Sequence, residues 1–148
     1  MITISNICHA DRNAWQGLFA AYAAFYEMSV TEEVIETVWN WIVDDTTPFY
    51  CLVAKTSDGT IIGFAHYKAI PSPLRGKSVG FLDDLFVDSA YRGEGAVDAL
   101  FGALKKEAES RGWPFIRWIT KDNNYRARAV YDKYAIRTDW LTYQLNVQ

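Results

Sequence analysis

The changing period of the apolar residues limits the fold of this chain more than any other feature. Between residues 11 and 27, Trp15, Leu18, Phe19, Tyr22, Phe25 and Tyr26 fall at i, i+3, i+4, i+7, i+10 and i+11. That is the stripe of an amphipathic helix, with Asp11 placed to cap it. A second helix begins at Ser29 or Thr31, carries Glu32 and Glu33 in its first turn, and buries Val34, Ile35, Val38, Trp39 and Ile42. The period then drops to that of strands. Residues 49–54 and 61–68 flank a Thr56-Ser57-Asp58-Gly59 turn and read as a hairpin. Residues 70–77, with Pro71, Pro73 and Gly76, read as a loop, and 79–87 as the next strand. A glycine-rich turn at Arg92-Gly93-Glu94-Gly95 opens a helix that Gly112 and Pro114 end. A strand over 115–120 and a short helix over 124–134 follow. Leu141, Tyr143, Leu145 and Val147 then alternate as a closing strand, and residues 2–4 make a first short one.

This order mixes helices and strands without strict alternation. It predicts a mixed α/β or α+β sheet with helices on both faces. No linker-like or repeated stretch divides the 148 residues, so a single domain over 1–148 is expected. Apolar residues are 50% of the chain, enough for a sizeable core and too many for disorder. The net charge of −3 lacks the basic excess of a general nucleic-acid binder. It is compatible with a cationic substrate. No apolar run reaches the ~18 residues of a membrane span, and no charged-then-apolar leader is visible. The expectation is a cytoplasmic protein with no membrane and no nucleic-acid partner. Cys8 and Cys51 lack metal-ligand spacing and read as reduced core residues, and no metal is expected.

The strand ending at Val87, the glycine turn and the helix after it make a geometry suited to an anion, because helix-start N–H groups point outward and the dipole favours negative charge. A P-loop is excluded. Gly76-Lys77-Ser78 has Pro71 where the first glycine belongs and lies before a strand. A dinucleotide fingerprint is excluded because Asp98 stands at the third glycine position. The run Val87-Asp88-Ser89-Ala90-Tyr91-Arg92-Gly93-Glu94-Gly95-Ala96-Val97 instead resembles the pyrophosphate loop of the GNAT superfamily of acyl-CoA-dependent N-acyltransferases, with Val97 in a slot usually held by Gly or Ala. Asn124-x-x-Ala127-x-x-Val130-Tyr131 resembles a second segment of that superfamily, with Ala135 where a glycine is usual. The order of elements matches along the whole chain.

The resemblance implies the GNAT fold: a central, mostly antiparallel sheet of six to seven strands, with helices on both faces. It implies acetyl-CoA as co-substrate. Backbone groups of Leu85, Phe86 and Val87 would meet the pantetheine arm, and Arg92, Gly93, Glu94, Gly95, Ala96 and Val97 the pyrophosphate. Asn124 would contact the arm, and Tyr131 would be the acid near the sulfur. The stretch Phe81-Leu82-Asp83-Asp84-Leu85-Phe86-Val87 looks like the pattern of polyamine N-acetyltransferases within the superfamily, and the Tyr131–Ala135 ending like a small group with histone- and polyamine-acetylating members. Both point to a small amine acceptor, with protein or peptide lysine, or a CoA-binding sensor without turnover, as the other readings.

Acyl transfer to an amine needs the nitrogen deprotonated. At pH 7 an alkyl ammonium with pKa ~10.4 resists this by roughly 4–5 kcal/mol. A carboxylate that accepts the proton, directly or through water, lowers that barrier. Asp83, aligned with the family's glutamate, is the first candidate base and Asp84 the second. Strand alternation would turn only one of them to the cleft unless a bulge intervenes. Tyr131, a phenol protonated at neutral pH, can donate to the leaving thiolate. Tyr22 and Tyr26 on the first helix, and His66 and Tyr67 on the hairpin, are the candidate acceptor-binding residues. The aromatic content of 16% and the family resemblance also point to a homodimer.

Overall fold

The computed structural model describes all 148 residues, which pack as two compact units, Met1–Trp118 and Ile119–Gln148. The first unit holds a five-stranded sheet in the order β1 (Thr3–Asn6), β2 (Phe49–Lys55), β3 (Ile61–Ser72), β4 (Lys77–Val87), β5 (Ile116–Arg117). The first four strands pair antiparallel, and β5 joins β4 in parallel. The sheet is therefore mixed, with five strands where six to seven were expected. The missing strand is the one expected at 141–147, which forms no ladder. Its alternation is present in the residues, but a strand exists only with a partner to accept its backbone hydrogen bonds. β5 is likewise shorter than the expected 115–120.

Three helices cover this sheet: α1 (Arg12–Phe25), α2 (Glu32–Val43) and α3 (Ala96–Arg111). The central strands are buried on both faces, so β3 runs almost continuously buried from Ile62 to Tyr67. On one face Trp15, Ile35, Val38 and Trp39 from α1 and α2 close over Cys51, Val53 and Phe64. On the other, Tyr67 meets α3, its hydroxyl donating to Glu107 at 3.2 Å. Burial and the Glu107 charge push the Tyr67 phenol up, so it stays protonated.

The local stops follow the residue chemistry. Thr31 caps α2 by accepting from the Val34 N–H, and Glu32 and Glu33 sit in the first turn as expected. Gly112, at φ +73°, ends α3, and the Trp113 N–H bonds back to the Ala108 carbonyl. Gly80 is needed for a different reason: a Cβ there would lie 2.6 Å from the Trp113 ring and 2.8 Å from Ile116, where β5 docks. The 70–77 loop is shorter than expected, because β3 continues to Ser72 and β4 resumes at Lys77. Asp11 does not cap α1. It accepts from the Cys8 N–H at 2.9 Å and the Cys8 S–H at 3.2 Å and pairs with Lys55 at 3.2 Å. Burial raises its pKa, but these partners outweigh burial and hold the carboxyl below its ordinary range. Cys51 is buried, and burial pushes its thiol up, whereas Cys8 is exposed rather than a core residue.

The second unit carries α4 (Tyr125–Tyr131), capped by Asn124, whose side-chain oxygen accepts from the Ala127 N–H at 3.3 Å. No helix of the chain is long and apolar enough to cross a membrane.

Candidate active site

A bulge in β4 builds the site. His66 pairs with Asp84 and Tyr67 with Leu82, so Asp83 is an extra residue with no partner on β3. The extra residue undoes the alternation that would send neighbouring side chains to opposite faces. Asp83 and Asp84 consequently both line one cleft, of about 450 Å³. Phe19 from α1, Trp41 from α2 and Phe49 from β2 form its aromatic wall, and His66 and Lys68 from β3 complete the polar side.

The two carboxylates stand in different settings. Asp84 Oδ2 accepts from His66 Nδ1 at 2.9 Å. The Trp15 indole N–H donates to His66 Nε2 at 2.9 Å. An indole N–H can only donate, so Nε2 is the acceptor and Nδ1 carries the ring proton given to Asp84. The ring is 1% exposed and held edge-on by Phe19, so both of its nitrogens are committed. Asp83 Oδ1 accepts from Lys68 Nζ at 3.0 Å, while its buried Oδ2 makes no hydrogen bond within the chain. Of the two, Asp83 has an oxygen that makes no hydrogen bond.

The neighbouring elements suit a CoA arm. β4 has eleven residues, but β5 pairs with it only at Gly80 and Phe81. The β4 backbone through Leu85, Phe86 and Val87 therefore has a strand neighbour on the β3 side only, which leaves an edge for pantetheine amides. The loop after β4 turns through Gly93 at φ +81° and Gly95 at φ +87° into α3. Gly95 is the N-cap and offers no side chain. The N–H of Ala99 bonds to the Gly95 carbonyl, leaving the Ala96 and Val97 N–H groups without an acceptor inside the helix. A Cβ at Gly93 or Gly95 would meet nothing within 4 Å, so an anion can approach the backbone closely. Arg92 and Glu94 are exposed, Ala96 is buried and Val97 half-buried. These residues fit a pyrophosphate.

Residues 15–135 match the Acetyltransferase (GNAT) family. The chain belongs to the GNAT acetyltransferase family. This acetyltransferase is 30% identical to the D-amino-acid N-acetyltransferase HPA3 of Saccharomyces cerevisiae, over 98% of this chain and 91% of that protein. In fold it is similar to a probable acetyltransferase (TM-score 0.88, 23% identity, 99% and 98% of the two chains). It is also similar to AAC(6')-Iy, solved with the bisubstrate analogue CoA-S-monomethyl-acetylneamine (TM-score 0.84, 18% identity, 100% and 99%). Enzymes of this family draw their acetyl group from acetyl-CoA.

The structure places the expected residues unevenly. Asp83, Asp84 and His66 meet in the cleft. Tyr67 does not: it lies on the opposite face, against α3 and Trp113. Tyr22 packs on Phe64 and Phe86 in the core beneath α1, and Tyr26 stacks edge-on against it, half exposed. In the second unit Tyr131 is the last residue of α4 and Asn124 its cap. Lys68, Trp41 and Phe49 were not singled out from the sequence. Only Lys68 carried a signal, as a lone cation two residues beyond His66 on the same strand.

Proposed function

We propose that this acetyltransferase moves an acetyl group from acetyl-CoA to the primary amine of a small molecule, and that both compact units serve one catalytic domain. The bulge at Asp83 carries this reading, because it puts a carboxylate with an uncommitted buried oxygen into an aromatic-walled cleft. Acetyl-CoA supplies a thioester: a C–N bond forms, the C–S bond breaks, and an ammonium and a thioester become an amide, a thiol and one proton. Asp83 accepts the ammonium proton through a water, since an Asp is one methylene shorter than the family's Glu. His66 pins Asp84 at the edge of the cleft, where its charge attracts the ammonium. Ala96 and Val97 N–H groups and the α3 dipole hold the pyrophosphate. Tyr131 donates its phenolic proton to the leaving thiolate and regains one from solvent.

Lys68 selects among acceptors. Its ammonium lines the same cleft as the two carboxylates, so the cleft offers both charges that a zwitterion needs. This favours an α-amino acid, and the similarity to a D-amino-acid N-acetyltransferase supports it. A polyamine is the second reading, favoured by the paired Asp83 and Asp84, although Lys68 would repel its distal ammonium. Mass spectrometry of D- and L-amino acids, polyamines and lysine peptides incubated with enzyme and acetyl-CoA separates them. Acetylated amino acids, with activity on them reduced in Lys68→Met, are expected. Acetylation of polyamines alone, rising in Lys68→Met, would establish the second reading. Modified peptides alone would refute both.

A further inference from the structure

The cleft beside Asp83 is divided by chemistry. Every charged or titratable group that lines it, His66, Lys68, Asp83 and Asp84, stands on β3 or β4. The α2 and β2 side carries no charge: Val38 and Trp41 come from α2, and Phe49 opens β2. Trp41 is 45% exposed, and its ring meets Phe49 edge-on with centroids 5.7 Å apart. A scattered exposed apolar residue is ordinary on a protein surface, but Trp41 belongs to a continuous apolar wall that faces a cleft. Wall and charges are adjacent. Phe49 stands opposite Lys68 in the β2–β3 ladder, and Lys68 Nζ is 3.0 Å from Asp83 Oδ1.

We propose, on the reading that the acceptor is an α-amino acid, that Trp41 and Phe49 select acceptors with a neutral apolar side chain, aromatic or branched aliphatic, over small or charged ones. An α-amino acid carries its ammonium, its carboxylate and its side chain on one carbon. With the carboxylate at Lys68 and the ammonium at Asp83, the side chain lies against Phe49, opposite Lys68, and against Trp41 beyond it. Both partners then lose apolar surface to water. Glycine or alanine would leave the wall wet in a cleft of about 450 Å³. A lysine or glutamate side chain would lose hydration with no opposite charge on α2 or β2 to replace it. Aromatic rings also attract cations, which makes a lysine-like side chain the competing occupant, but Lys68 sits across the ladder from Phe49 and repels it.

Initial rates of thiol release from acetyl-CoA with alanine, leucine, phenylalanine and lysine, each as both enantiomers, test this. One methylene in an apolar pocket is worth about 10–200-fold. The better enantiomer of phenylalanine or leucine is therefore expected to exceed that of alanine and of lysine by ~10-fold or more in kcat/KM. Trp41→Ala should cut the phenylalanine-to-alanine ratio ~10-fold. Leu74→Ala, at an exposed apolar residue in the turn between β3 and β4, should leave that ratio unchanged. Trp41→Glu should raise the lysine-to-phenylalanine ratio, a gain that a misfolded protein cannot give. Equal rates on alanine and phenylalanine, a preference for lysine, or ratios unmoved by the Trp41 variants overturn the proposal and leave the amino-acid acceptor standing. Acetylation of polyamines with no amino acid acetylated overturns both.

Discussion

Asp83→Asn tests the division of labour between the two carboxylates. At pH 7 an alkyl ammonium of pKa ~10.4 lies about 3.4 units above solution pH, so its deprotonation costs about 4.6 kcal/mol. A positioned base typically contributes ~10²–10⁴ in rate, about 2.7–5.4 kcal/mol. The Asn variant keeps the shape of the bulge but cannot accept a proton, so kcat/KM should fall ~10²-fold or more at pH 7. Unfolding will not explain the loss. The Lys68–Asp83 pair is part-exposed, with side chains 39% and 25% accessible. Such a pair contributes no more than ~1 kcal/mol, small against a typical stability of ~5–15 kcal/mol. Asp84→Asn keeps an acceptor oxygen for His66 Nδ1–H and should lose less than ~10-fold. The assay is initial-rate thiol release from acetyl-CoA across pH 6.5–9.5. Free amine rises tenfold per pH unit, so the Asp83→Asn deficit should shrink steadily toward high pH. A deficit constant with pH, or a larger loss in Asp84→Asn than in Asp83→Asn, would refute the assignment.

Four further outcomes are expected. Tyr131→Phe should slow acetyl transfer ~10–10²-fold with CoA affinity by calorimetry unchanged; an undiminished rate removes Tyr131 as the acid. Trp15→Phe should destabilise by about 1–3 kcal/mol in urea melts, because it strips the donor from the buried His66 Nε2. Gly80→Ala should cost about 1–3 kcal/mol, as its Cβ would overlap Trp113 and Ile116; an unchanged urea midpoint would contradict the close packing at β5. Asp11 has a folded-state pKa below its ordinary 3.8, so its stabilising contribution is present above about pH 4 and lost as pH falls through the folded value. Asp11→Asn should therefore lower the urea midpoint at pH 7, and the gap to wild type should close by pH 2.

Much of the fold was legible because single-chain pattern and local chemistry fix it. The α1 and α2 stripes, the β2–β3 hairpin and the Gly112 stop all appear where the period and the turn residues put them. The loop before α3 was legible for the same reason: glycines at positive φ next to a helix start leave little choice. The site was harder to see. Alternation sends Asp83 and Asp84 to opposite faces, and only the register of β3 against β4 shows the extra residue that brings them together. Lys68 reads as one more strand residue until pairing puts it beside Asp83. Tyr67 reads as well as His66 for a cleft residue, because one residue along a strand is the whole difference between facing α1 and facing α3. The segment over 141–147 shows the converse. Its pattern is plain, but a strand needs a partner, and no pattern within one chain says where that partner is.

Thiol release from acetyl-CoA, measured with a panel of D- and L-amino acids, polyamines and lysine peptides, tests the central claim most directly. Release of one thiol per acetylated small amine, cut ~10²-fold or more at pH 7 by Asp83→Asn, is the expected result. CoA binding by calorimetry with no thiol release for any acceptor would contradict it and leave a fold that holds the cofactor without using it.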